Sequence, residues 1–323
     1  MKQAASISLD LDNLWAYMRA HGLAGWRDFP TYLPHVVPKI VELVHSLDIH
    51  LTVFVVGQDA EIEENGAAIR AFVEAGHGIG NHSFLHEPWM HKYSRAEIVE
   101  EISRAHRAIE ETTGVQPRGF RGPGFSVSDD LLTELCRMGY RYDSSLLPTF
   151  LGPLARAAYF RSADLTDAER EERKKQFGHF RDGFKSIRPF LWRSKHGVLL
   201  EVPVTTIPVL RSPMHLTYVH FLAQFSPVLA RSYFSFALKM CQVFQVAPSL
   251  LLHPLDFLAA DELPELECFP GLGSNSDSKR KLTQWCLQKF SESFDVVSLD
   301  DFAAQTMGPQ GENAGLMKSV VIP

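Results

Sequence analysis

Short apolar, β-branched runs alternate with amphipathic helical patterns along most of this 323-residue chain, and that alternation restricts its fold more than any other feature. The strand candidates are "ASISLDL", "HLTVFVVG" from His50, "HGIGNHS" from His77, "RGFRG" from Arg118 and "YRYDSS" from Tyr140. "GVLLEVPV" from Gly197, "SLLLHP" from Ser249 and "FDVVSL" from Phe294 complete the set. Between them, "YLPHVVPKIVELVHSL" and "GAAIRAFVEAG" place apolar residues at helical spacing. "SRAEIVEEISRAHRAIEETTG" opens on a capping box, Ser94 to Glu97, and closes on Gly114. "SDDLLTELCRMG" starts at a Ser/Asp cap and ends on Gly139. Strands alternating with crossover helices need a mainly parallel sheet, here expected to curl into an α/β barrel.

One domain is expected over residues 1–303, with a tail over 304–323 that shows little periodicity and should be loosely held. Two stretches break the rhythm. From Pro148 to about residue 190 the chain is aromatic and charged, and its "LTDAEREERKKQF" run reads as a solvated helix in an insertion, or as a lid over a substrate. From Pro213 to Pro248 it is strongly apolar. Leu229, Tyr233, Phe236, Met240 and Phe244 share one helical face there, with Arg231, Ser235 and Lys239 opposite. An ordinary crossover helix accounts for this pattern, and a surface that touches lipid is the alternative.

The net charge of −6 and the lack of any Lys/Arg block argue against a nucleic-acid partner. Cys136, Cys241, Cys268 and Cys286 are scattered without CxxC spacing, which suits free thiols in a reducing compartment. "MKQAA" runs directly into the first strand, and the chain is therefore read as cytoplasmic.

The chemistry gathers at strand ends. "SISLDLDN" closes the first strand with Asp10 and Asp12, two positions apart and so on one face of the pleat. Carboxylates crowded this way are costly unless a positive charge lies between them. "GNHSFLHEPW" supplies His82 and His86, which one helical turn would bring to the same side. With Asp12 they make a two-histidine, one-carboxylate set that leaves positions open on a divalent ion. "GFRGPGFS" adds Arg121 and Gly124, "YRYDSS" adds Asp143 and "SLLLHP" adds His253. All fall at the C-terminal ends of strands expected to be parallel, where a β/α barrel keeps its active site.

These motifs resemble the polysaccharide deacetylases, carbohydrate esterase family 4, which share the NodB homology domain. "SLDLDN" corresponds to a DxD form of the first motif, "GHGIGNHSFLH" to the second, Arg121 and Pro123 to part of the third, and Leu252-His253 to the last. The likeness runs from Ser6 to about Leu147 and resumes from Ser249 to Phe302. It implies a distorted (β/α)7–8 barrel of the NodB type. It also implies a divalent metal held by Asp12, His82 and His86: zinc first, with cobalt, nickel or manganese as alternatives. By the same resemblance Asp10 is the general base, oriented by Arg121, and His253 is the general acid, held in its tautomer by Asp143. A backbone N–H near Gly124 serves the oxyanion, and Trp89 offers a wall for sugar stacking. Phe125 departs from the third motif, so the substrate does not carry over.

The expected activity is removal of an N-acetyl group from an amino sugar in an intracellular glycan, or in a lipid- or nucleotide-linked sugar. Two alternatives stand beside it: deformylation of a lipid-linked formamido sugar, and a non-catalytic sugar- or lipid-binding protein on the same scaffold. Contact with the inner face of a membrane through 213–248 is part of the same expectation.

Overall fold

The computed structural model describes residues 2–154, 180–263, 275–308 and 317–322, together with Leu266, Leu272 and residues 312–315. Most of the 148–190 insertion, the charged helix expected within it and Cys268 lie outside the described residues.

Ten strands are described: β1 Ala4–Asp10, β2 Thr52–Val55, β3 Gly78–Asn81, β4 Gly119–Phe120, β5 Tyr142–Asp143, β6 Phe190–Ser194, β7 Gly197–Glu201, β8 Ser249–Leu252, β9 Asp295–Val297 and β10 Ser319–Val321. Neighbouring strands run β10-β6-β7-β5-β4-β3-β2-β1-β8, and β9 pairs with the start of β1. All pairings are parallel except the β6–β7 hairpin. Just beyond β7, the Thr205 N–H donates to Ser249 O at 3.1 Å, and this bond closes β7 onto β8. The result is the distorted α/β barrel the alternation calls for, closed by seven of the strands, with β6, β9 and β10 outside the ring.

The alternation along β1 explains the layering. Ile7, Leu9 and Leu11 are fully buried with Leu33, Val36 and Ile40 of the helix Leu33–Ser46, in the main apolar cluster between barrel and outer helices. Ser6, Ser8 and Asp10 take the opposite parity, and Ser8 and Asp10 meet Arg121 inside the barrel. Ser94 and Glu97 form their capping box at the start of the helix Arg95–Thr113, and Gly114 ends it in the left-handed region at φ 72.

Two expectations need correction. The antiparallel strand β6 went unseen, because its apolar residues follow the aromatic and charged insertion and Pro189. The tail is tied down: Leu299–Met307 is helical, Ser319–Val321 pairs with β6, and Ile322 is 5% exposed. The apolar stretch at 213–248 folds as two helices, Leu216–Ala223 and Pro227–Val243, crossing from β7 to β8. No helix among the described residues is long and apolar enough to cross a membrane.

Candidate metal centre and active site

Register brings the site together. Asp10 pairs with Phe54 of β2, and Leu9 pairs with Leu252 of β8, so Asp10 and His253 continue neighbouring strands side by side. On the other side Val55 pairs with Asn81 and Asn81 with Phe120, which sets His82 and Arg121 on adjacent strand exits.

Asp12, His82 and His86 each aim a ligand atom into one space, all within 4.8 Å of one another. His86 Nε2 lies 3.0 Å and His82 Nε2 3.4 Å from Asp12 Oδ1, and Asp10 Oδ2 is 3.8 Å from His82 Nε2. Arg121 Nη1 donates to Asp10 Oδ1 at 2.8 Å and to Ser8 Oγ at 3.0 Å, while Nε donates to Ser144 O. This guanidinium is fully buried, with its Cζ 4.5 Å from the Phe54 ring.

A divalent cation fits the donors. His82 Nδ1 is 2.7 Å from the Arg121 carbonyl oxygen, which can only accept, so Nδ1 carries the proton. In the neutral ring the lone pair on Nε2 then faces Asp12 Oδ1, a buried oxygen 3.4 Å away. Lone pair against carboxylate is repulsive, and a shared cation turns it into ligation. The charges respond to the same crowding. Burial works to raise Asp12, but His86 and His82 outweigh it and hold the carboxyl well below its usual range. Burial works to lower His82, but Asp10 and Asp12 carry it above the ordinary imidazole value. His86 ends below that value because burial, with His82 and Arg19 adding to it, outweighs Asp12.

The loop that carries the two histidines is not the helical turn expected from their spacing. Ser83 (φ 63) and His86 (φ 52) both adopt left-handed backbone. Such non-glycine residues cost on the order of 1–3 kcal/mol each and persist where surrounding bonds fix them. Those bonds are present. Ser83 N donates to Asn81 Oδ1, His86 N donates to Ser83 Oγ, and Phe84 N and Leu85 N both donate to Glu101 Oε2. Arg19 closes the loop from the other side, donating to His86 O at 2.6 Å, Leu85 O at 2.8 Å and Glu87 Oε1 at 2.9 Å. The rings of His82 and His86 end 4.9 Å apart, so the pairing holds although the turn does not.

Asn13 anchors the first strand's exit. Its Nδ2 donates to Thr31 Oγ1 and to Asp59 Oδ1, and its Oδ1 accepts from Leu14 N and Tyr32 N. The Tyr32 hydroxyl donates to Asp12 O at 2.5 Å.

One expected pairing fails. Asp143 does not reach His253: it accepts from Ser145 Oγ at 2.6 Å and lies against Glu201, the residue paired with it on β7. Burial raises both carboxyls, and the Asp143 charge drives Glu201 well above the usual range. The carboxylate beside His253 is Asp256. Its Oδ2 accepts from His253 N at 2.8 Å and its Oδ1 from Thr217 Oγ1 at 3.1 Å, while Thr217 Oγ1 sits 3.3 Å from His253 Nδ1. A Thr217 hydroxyl that donates to Asp256 can accept from Nδ1–H, the tautomer in which Nε2 is the working nitrogen. The run "HPLD" at 253–256 was the available signal for Asp256; nothing local pointed to Thr217, Arg19 or Glu101.

Gly124 is exposed at the middle of the turn Pro123–Phe125 at φ 57, where an added Cβ would come within 2.8 Å of Pro88 Cβ. Trp89 is half-buried, 5.9 Å from the Arg19 guanidinium.

Residues 24–142, a little over a third of the chain, match the family model described as Polysaccharide deacetylase. That stretch holds His82, His86 and Arg121, with Asp10, Asp12 and His253 outside it. The chain is 27% identical over 100 residues to the peptidoglycan-N-acetylglucosamine deacetylase PgdA of Listeria monocytogenes, covering 31% of this chain and 21% of that protein. It is 26% identical over 111 residues to the peptidoglycan deacetylase of Helicobacter pylori, covering 34% and 37%. The chain thus spans about a fifth to a third of the length of these relatives, 21% and 37%. A solved Mycobacterium smegmatis structure described as a polysaccharide deacetylase superposes with a TM-score of 0.63 at 18% identity, over 96% of this chain and 91% of that one, and shares the fold.

Proposed function

We propose that this protein is a metal-dependent N-deacetylase of an amino sugar. The observation that carries the reading is the convergence of Asp12, His82 and His86 on one space, with Asp10 and Arg121 alongside. Two imidazole nitrogens and one carboxylate suit zinc, and cobalt or nickel by the same donor preference. Such an ion supplies an activated water and a polarised carbonyl.

The chain's own residues do the rest. Asp10, oriented by Arg121, takes the proton from the attacking water. His253, one strand away with Nε2 free, gives a proton to the departing amine, while Thr217 and Asp256 hold its tautomer. The likeness to deacetylases of peptidoglycan N-acetylglucosamine favours an N-acetylated hexosamine, and a polymer, a lipid-linked sugar or a nucleotide sugar all present that group.

Metal content and acetate or formate release from N-acetylated and N-formylated glucosamine oligomers test the reading. The wild type is expected to carry about one divalent ion per chain and to release acetate. Asp12→Asn should lose ion and activity together. Asp10→Asn should keep the ion and lose about 10²–10⁴-fold in kcat, the usual worth of a positioned base. A metal-replete Asp10→Asn protein with wild-type turnover overturns the assignment. Formate in place of acetate transfers the activity to deformylation.

A further inference from the structure

The helix Pro227–Val243 is apolar on two sides. Ala230, Phe234, Ala237, Leu238 and Cys241 are buried against the barrel. Leu229, Phe236 and Val243, spaced seven apart and therefore on one face, look outward at 49%, 46% and 61% exposure. Of the face read from sequence, Leu229, Phe236 and Phe244 are exposed, while Tyr233 and Met240 are partly buried against the main apolar cluster. A helix that packs on one side only is expected to be polar on the other.

The outward apolar surface continues past this helix. Val228 is 74% and Phe225 72% exposed, and Phe221, 5.3 Å from Phe225 between ring centroids, is exposed too. Val209 and Leu210 stand out from a loop that Tyr233 pins to the same helix through its bond to Pro213 O.

Charge is segregated here as well. The chain as a whole is at −6, yet from Gly183 to Leu255 its one acidic residue is Glu201, which is buried against Asp143. The exposed ionic groups of this stretch are cations. Lys239 and Arg231 lie on the helix, and Arg188 reaches Phe244 O and Gln245 O at the helix end. Arg211 beside Leu210 donates to Lys185 O.

We propose that this apolar, basic face docks on an anionic lipid bilayer, with Phe221, Phe225, Val228 and Leu229 entering the headgroup region and the lysines and arginines meeting lipid phosphates. Charge selects the occupant. A second copy would set this cationic rim against itself, whereas an anionic surface complements it. The face also adjoins the catalytic mouth: Phe221 lies about one helical turn beyond Thr217, which is 3.3 Å from His253. Docking would therefore present the site to an amino sugar at the lipid surface. That consequence rests on the deacetylase reading; the docking itself does not.

Co-sedimentation of the metal-loaded full chain with phosphatidylcholine vesicles, with and without phosphatidylglycerol, tests it, with turnover on a soluble N-acetylglucosamine oligomer measured in parallel. Binding is expected only to the anionic vesicles and should weaken as salt is raised. Phe225→Ser with Val228→Ser should reduce partitioning at least tenfold, since each side chain leaves an apolar environment. Lys239→Gln should reduce it about fivefold, the worth of one cation at such a surface. Soluble turnover should not change in either variant. The docking is overturned if the wild type stays in solution with anionic vesicles, or if Phe225→Ser with Val228→Ser binds them as the wild type does. It is equally overturned if light scattering shows a dimer that this double substitution dissociates. Loss of soluble turnover in the wild type would instead count against the deacetylase reading alone.

Discussion

The two flanks of the barrel mouth solve opposite electrostatic problems. The flank at β1, β3 and β4 gathers Asp10 and Asp12 within 4 Å of imidazoles and sets a fully buried Arg121 against Asp10. The flank at β8 gathers His253 and His215, ring centroids 6.1 Å apart, with Asp256 reached through Thr217 and a backbone N–H. The first concentrates anions that need a cation. The second places imidazoles in buried surroundings, where burial and His253 drive His215 down to about 3. Under the proposed function, one barrel holds a side suited to an ion and a side suited to proton delivery on neighbouring strands, and the parallel register β1–β8 sets them side by side.

The largest effect that sharpens this contrast is expected from Arg121→Met. The substitution leaves Asp10 buried with its ion-pair partner gone, and breaking such a pair costs about 3–5 kcal/mol. Urea denaturation of the metal-free protein measures it. Adding Asp10→Asn should recover much of the loss, because the stranded charge goes too. A cost under about 1 kcal/mol, the range of an exposed pair, would erase the distinction between the flanks.

The ion-binding flank was far more legible in the sequence than the other. Metal ligation admits few residue types, and Asp12, His82 and His86 announce themselves at strand ends. Their local backbone did not, because the left-handed His86 is fixed by Arg19 and Glu101, 67 and 15 residues away in sequence. On the opposite flank the sequence shows His253 and suggests Asp143 as its partner. That carboxylate is turned to Glu201 by the β5–β7 register, which no local pattern encodes. The apolar helix at 227–243 shows the same limit. Periodicity marked one apolar face, yet packing against the helices Leu216–Ala223 and Ser276–Ser293 decides which side turns inward.

A smaller effect should come from Asp256→Asn. The amide keeps one acceptor where the carboxylate used two, so either His253 N–H or the Thr217 hydroxyl meets an NH2 group. Loss of the Thr217 orientation should lower kcat about 10²-fold, the lower end of what a positioned acid contributes, with KM little changed. Metal content should stay at the wild-type level, which separates this flank from the other. An Asp256→Asn protein that loses its ion would show that the two flanks are one electrostatic unit.

The smallest effect tests the contrast through stability. Beneath the ion-binding flank, Asp59 is fully buried, and burial, with Asp12 adding, raises it to about 7 despite hydrogen bonds from Asn13 and Trp15. Its folded value lies above its unfolded one of 3.8, so its contribution is complete below that pH and is lost as pH climbs towards about 7. His215 behaves oppositely: depressed from 6.5 to about 3, it contributes above 6.5 and loses that contribution as pH falls. Across their overlap the two slopes, each at most about 1.4 kcal/mol per pH unit, oppose one another. Relative to the wild type, Asp59→Asn should therefore tilt the stability slope upward between about pH 4 and 6.5, and His215→Phe should tilt it downward over the same interval. Urea midpoints of both variants at several pH values decide the matter. Parallel slopes in the two would mean that the flanks do not carry opposite proton linkage, and the contrast would then hold for metal and catalysis only.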